Sequence, residues 1–169
     1  MLKKRIQLTL FVSENDSRQI ETIRQEFNPA QYALIKSHVT LCREEELVQL
    51  HKVIANLEKL EHKAITIEFG SAVRFANNAG VLLPAIGKHD EYHQLRKKIL
   101  LDIIDKPGTP EPHITLMHPR NSLCTAEAFE QIKNCTLPAK LTFSTISLIE
   151  QEPGMKWQVL REFEMKNNL

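Results

Sequence analysis

The sequence predicts an α+β fold in which a β-α-β-α-β unit is built twice, two mainly antiparallel sheets facing a central cleft with helices outside. Three observations predict it. Strand-like alternation and helix-like periodicity take turns along the chain. The order of elements restarts near residue 80. One short motif, His-Val/Ile-Thr-Leu, stands at 38–41 and again at 113–116.

The first strand is read from residues 5–12, where Ile6, Leu8 and Leu10 alternate with Gln7, Thr9 and Phe11. Ser, Asn and Asp then offer caps for a helix over 13–27. A second strand is expected over 33–42. Leu47, Leu50, Ile54, Leu57 and Leu60 form one stripe of a helix over 44–60. Residues 64–76 read as a strand interrupted by Gly70, and 77–80 as a turn.

The series then begins again. A strand over 81–87 carries Pro84 at an edge or bulge position. A helix follows over 89–105, with Tyr92, Leu95, Ile99 and Ile103 on one side. A Pro- and Gly-rich loop over 107–112 leads into the strand "HITLM". A shorter helix spans 125–134, a strand 139–150, and Pro153-Gly154 turns the chain into a last strand over 155–165. His113 lies 75 positions after His38, and adding 75 to the first strand or first helix lands on an element of the same type. We therefore read residues 1–169 as one domain of two pseudo-repeats, about 4–76 and 80–151, closed by the last strand.

Composition narrows the classes. The chain is 42% hydrophobic and 25% charged, with a formal net charge of +1. A protein that grips long nucleic acid by neutralising many phosphates is visibly basic, so a nucleotide ligand here is expected to be short or held locally. Cys42, Cys124 and Cys135 lack CxxC spacing and read as reduced thiols, which points to the cytoplasm. No run approaches the length a membrane helix needs, and no heptad or exposed apolar stretch calls for a second subunit, so no membrane contact and a monomer are expected.

The repeated motif carries the chemistry. In a strand, residues two apart share a face, so His38 sits beside Thr40 while Val39 and Leu41 point the other way; His113, Thr115, Ile114 and Leu116 repeat this. Two imidazoles and two hydroxyls then converge on a cleft. An imidazole titrates near neutrality, so one ring can take a proton while the other gives one. Threonine hydroxyls on stiff, β-branched side chains can donate to phosphate oxygens. Opening a cyclic phosphodiester by water needs such a set: a base for the water, an acid for the leaving oxygen, and donors for the nonbridging oxygens. Chance would supply roughly 0.07 copies of such a motif in a chain of this make-up, so two copies on corresponding strands are a specific signal.

These eight residues resemble the signature of the 2H phosphoesterases, the family that includes 2'-5' RNA ligase-like proteins and cyclic nucleotide phosphodiesterases. The resemblance implies a small duplicated, bilobal α+β domain that hydrolyses 2',3'-cyclic or related phosphodiesters without metal or other cofactor, typically leaving a 2'-phosphate. Some members also join or open 2'-5' linkages. It makes His38 and His113 the acid/base pair, Thr40 and Thr115 phosphate binders, and a nucleotide or RNA terminus carrying a cyclic phosphate or 2'-5' linkage the partner.

Other residues carry weaker readings. Lys36 faces the same way as His38, so a phosphate contact and a solvated strand-end position are both open to it. Arg43 and Arg120 follow the two motif strands and can lend charge to the rim. His51, His62, His89 and His93 read as solvated helix residues; the last two have i, i+4 spacing but no third metal ligand is evident. Trp157 and Phe75 can stack a base, though a core position suits a lone strand Trp better. A non-catalytic module holding RNA ends or nucleotides is the competing function.

Overall fold

The computed structural model describes residues 3–76 and 78–166. Asn77, inside the turn read at 77–80, and the polar C-terminal end at 167–169 lie outside the described residues.

Strand β1 (Arg5–Phe11) leads to helix α1 (Glu14–Phe27), whose Ser13 cap accepts the Asp16 N–H through Oγ at 3.3 Å. Helix α2 (Pro29–Leu34) follows at once, with proline in its first turn, where no N–H is needed and φ is already helical. Strand β2 (His38–Cys42) therefore starts later than the span 33–42 read from the sequence; Ala33 and Leu34 belong to the helix. The expected helix over 44–60 is also broken. A 3-10 turn at Glu44–Glu46 precedes α3 (Leu50–Glu58), because the Glu46 carboxylate folds back to accept the Arg43 N–H at 2.9 Å. Strands β3 (Ile65–Glu68) and β4 (Val73–Arg74) split the expected 64–76 strand, the chain bending at Ser71 just after Gly70.

The second series comprises β5 (Val81–Pro84), α4 (Asp90–Ile99), β6 (His113–Met117) and α5 (Ala126–Lys133), followed by β7 (Lys140–Phe143), β8 (Thr145–Gln151) and β9 (Gln158–Glu164). The Thr125 hydroxyl caps α5 by accepting the Ala128 N–H at 3.1 Å.

The α+β class and the antiparallel pairing are as expected; the arrangement of the sheets is not. Seven strands form one sheet in the order β4-β5-β6-β2-β1-β8-β9, and β3 and β7 form a small second one. The two motif strands are neighbours within one sheet, paired at Val39 and Ile114, rather than members of two sheets that face each other. Joining β2 to β6 gives each a partner on a side that would otherwise be an unpaired edge. Val39 and Ile114 lie 75 positions apart, and Thr66 and Thr142, paired across β3 and β7, lie 76 apart. Near-equal offsets at both crossings are what an approximate two-fold axis through them requires. The C-terminal β8 also lies against β1, and the N-terminal β4 against β5.

Alternation settles which face packs. Val39, Leu41, Ile114 and Leu116 are at most 1% exposed and pack into one core with Leu8, Leu10, Ile20, Val53, Leu95 and Ile99. Each such aliphatic side chain contributes about 1.5–3 kcal/mol on burial. Among the described residues, no helix is long and apolar enough to cross a membrane.

Gly80, just before β5, is buried under the end of β6. A Cβ there would lie 2.4 Å from the Met117 carbonyl oxygen and 2.9 Å from the Phe75 ring. The carbonyl is fixed in the sheet and cannot yield cheaply. Gly80→Ala is expected to destabilise the fold by about 1–3 kcal/mol in urea denaturation; an unchanged midpoint would mean the backbone here is softer than its packing implies.

Candidate active site

His38 and Thr40 are half-buried on the face of β2 opposite the core, and His113 and Thr115 occupy the same positions on β6. Continuing the Val39–Ile114 register sets His38 opposite Thr115 and Thr40 opposite His113. The two imidazoles then sit on a diagonal of this square, where neighbours are typically about 7–8 Å apart and their Cβ atoms somewhat closer. Rings that extend from that diagonal can flank a phosphate-sized group.

Both rings are oriented in one way. His38 Nδ1 lies 2.8 Å from the carbonyl oxygen of Lys36, and His113 Nδ1 lies 3.3 Å from that of Glu111. A carbonyl only accepts, so the neutral rings carry their proton on Nδ1 and offer Nε2 to the cleft. Each ring also meets a phenylalanine edge-on at 6.0 Å, Phe11 for His38 and Phe75 for His113. Burial pushes the His38 pKa down to about 4, against the raising effect of the Lys36 carbonyl, and the Arg24 and His113 charges lower it further. Burial also lowers His113, helped by the nearby Arg43 guanidinium.

The Gln7 amide donates to Thr9 Oγ1 at 2.7 Å and to Thr40 Oγ1 at 3.1 Å. Because the Thr40 oxygen accepts there, its own proton can be donated into the cleft. Tyr92 Oη donates to the Thr40 carbonyl at 2.7 Å, fixing the strand from behind. Lys36 lends its carbonyl to His38, and its side chain is exposed. A cavity of about 240 Å³ adjoins only one half of the square, lined by Thr40, Arg43, Glu45, Tyr92, Glu111 and His113 among others.

Sequence reasoning missed Gln7, Tyr92 and the two buried arginines, Arg24 and Arg96, each 2% exposed. A signal was available: Arg96 follows Tyr92 by four positions and Arg24 follows Ile20 by four, so each places a charge on an otherwise apolar helix stripe. Arg96 donates to the Leu41 carbonyl and pairs with Glu46, closing the far end of β2. His62, read as solvated, is 8% exposed, with Nδ1 2.7 Å from the Lys63 carbonyl. His118 Nδ1 accepts the Arg120 N–H at 3.0 Å, and Trp157 is half-buried, with the Arg5 guanidinium 5.3 Å from its ring centre. Among the described residues, no group of three or more His, Cys, Asp or Glu could hold a metal ion.

Comparison with known proteins agrees with this architecture. Residues 12–154 match the 2'-5' RNA ligase superfamily, and the chain belongs to that family. No curated protein matches it at the sequence level. Escherichia coli LigT complexed with 3'-AMP is similar in structure, with a TM-score of 0.67 and 15% identity over 96% of this chain and 98% of that one. LigT complexed with phosphate gives 0.64 at 15% identity over 96% and 98%. Thermus thermophilus TT0787 gives 0.59 at 15% over 98% and 100%.

Proposed function

We propose that this protein is a metal-independent phosphodiesterase that opens 2',3'-cyclic or related small phosphodiesters, with His38 as general base and His113 as general acid. The observation that supports the reading is the pair of imidazoles on neighbouring strands with matched Nδ1–carbonyl bonds, which leave Nε2 of each ring for a substrate. The LigT complexes with 3'-AMP and phosphate make a nucleotide-type ligand the first choice for this chain.

The proton inventory favours this division of roles. A ring whose pKa is pushed to about 4 holds no proton at neutral pH, so His38 is ready to accept one. Burial lowers His113 as well, so in this reading it acts in the fraction of molecules that carry a second proton on its Nε2, and that form is the acid. Nε2 of His38 takes a proton from water as the water oxygen attacks phosphorus. The bond from phosphorus to one ribose oxygen breaks, and His113 passes its proton to that oxygen. Thr40 and Thr115 donate to the nonbridging oxygens, where negative charge concentrates in the transition state. The cavity beside His113 and Thr40 gives room for the nucleoside that carries the leaving oxygen.

Assaying 2',3'-cyclic nucleotides, a 2'-5' dinucleotide and a cyclic-phosphate oligonucleotide in EDTA tests this reading. Turnover of at least one, with a single phosphomonoester isomer released from a cyclic substrate, is expected. Saturable binding without product would favour a module that only holds RNA ends or nucleotides, and loss of turnover on chelation would remove the metal-free mechanism.

A further inference from the structure

We infer that the Glu21–Arg24 pair on α1, its guanidinium buried and its carboxylate half-buried, is the positioning device of His38, holding the backbone on both sides of the one carbonyl that sets the tautomer of that ring. The inference rests on the proposed role of His38 as the base. That carbonyl belongs to Lys36 and accepts from His38 Nδ1 at 2.8 Å. On one side of it, Arg24 Nη2 donates to the Ile35 carbonyl at 2.7 Å. On the other side, Glu21 Oε1 accepts the Ser37 N–H at 2.7 Å. Arg24 Nη1 ties the two anchors together by donating to both Glu21 oxygens at 2.9 Å. One planar guanidinium and one carboxylate thus grip residues 35 and 37 as a unit, which a flexible ammonium cannot do.

The other half of the site meets the same need by different means. The carbonyl facing His113 belongs to Glu111, and its neighbours are Pro110 and Pro112, 75 positions after Ile35 and Ser37. Proline rings fix φ at both neighbours, so the segment is stiff without an external clamp. Pro112 has no N–H for a carboxylate to hold.

Energetics also argue for a specific purpose. A guanidinium that is 2% exposed carries a large desolvation cost, and apolar side chains of similar size commonly stabilise a fold as well or better. Satisfying the buried Ile35 carbonyl and Ser37 N–H also serves the fold; what marks this pair is that the two groups it grips flank the Lys36 carbonyl. The pair gains its value by keeping Nε2 of His38 unprotonated and aimed at the cleft, as groups behind a metal-bound histidine do for their ligand.

Nitrogen-15 NMR of the imidazoles in the full chain tests this. In the parent protein both His38 and His113 are expected to show the neutral Nδ1–H form. In Arg24→Lys, His38 is expected to become a mixture of tautomers while His113 stays unchanged, and kcat to fall about tenfold with KM little altered. The double variant Glu21→Leu/Arg24→Met, which removes both charges together, is expected to fold and to show the same change at His38. Pro112→Ala is expected to loosen His113 and leave His38 alone. A folded Arg24→Lys or double variant whose His38 remains wholly Nδ1–H overturns the inference. If the parent turns over no phosphodiester, the ring signatures still decide the positioning role while the proposed reaction falls on its own.

Discussion

Replacing His113 with alanine is expected to lower turnover of a 2',3'-cyclic nucleotide by about 10²–10⁴-fold, yet to spare much of the activity on a nitrophenyl phosphodiester. His38→Ala is expected to be equally damaging with both substrates. The difference follows from the role proposed for each ring. A ribose oxygen is a poor leaving group and needs a proton as its bond to phosphorus breaks; a nitrophenolate leaves without one. Water needs a base in either case. The double variant should be little worse than the single ones on the cyclic substrate, because groups that act in one proton relay are not additive. Equal losses on both substrates from both variants would reject the division of roles, and the reverse pattern would exchange them.

Glu46→Ala is expected to destabilise the fold by about 3–5 kcal/mol, measured by urea denaturation near pH 7, because it leaves a buried guanidinium without its counter-ion. Arg96 is 2% exposed, pairs with Glu46 and also donates to the Leu41 carbonyl. Burial alone would raise the Glu46 pKa, but the hydrogen bonds from Arg96 and from the Arg43 N–H outweigh it and hold the carboxyl below its ordinary value. A lowered folded-state pKa means that the stabilisation is complete above about pH 4.5 and is lost as pH falls through the folded value. His38 adds an earlier limb. Its pKa drops from 6.5 to about 4 on folding, so between those values the unfolded chain binds a proton that the folded one does not, and stability falls as pH is lowered. Stability in the parent should therefore decline from about pH 6.5 downward, and only the upper part of that decline should persist in Glu46→Ala. A flat profile from pH 7 to pH 4 would contradict both shifts.

The facing of the motif side chains was more legible than the sheet. A period of two fixes facing: once His38-Val39-Thr40-Leu41 is read as a strand, His and Thr must share one side and Val and Leu the other, whatever lies next to it. Which strand lies next to it depends on long-range pairing, and nothing in 38–42 or 113–117 states that β2 and β6 touch at Val39 and Ile114. The helix over 13–27 was readable from its caps, while 33–34 misled because Ala-Leu-Ile suits a strand until Pro29 is given its helical role. The arginines were passed over for a related reason: Arg24 and Arg96 look like solvated charges until the carboxylates and carbonyls that satisfy them are brought near by the fold. Gln7 reads simply as the polar side of an alternation, and only its distance to Thr40 gives it a part in the site.

The traded strands bind the two series into one cooperative body. With β8 seated on β1 and β4 on β5, a chain with only its first or last part ordered would leave open ladders on both sides of the missing piece. A lone motif strand brings one imidazole and one hydroxyl, which can neither relay a proton nor embrace an anion. If the proposed reaction holds, its groups belong to the seam, so they come together only when the whole polypeptide has closed, and a half-made molecule is expected to be chemically silent.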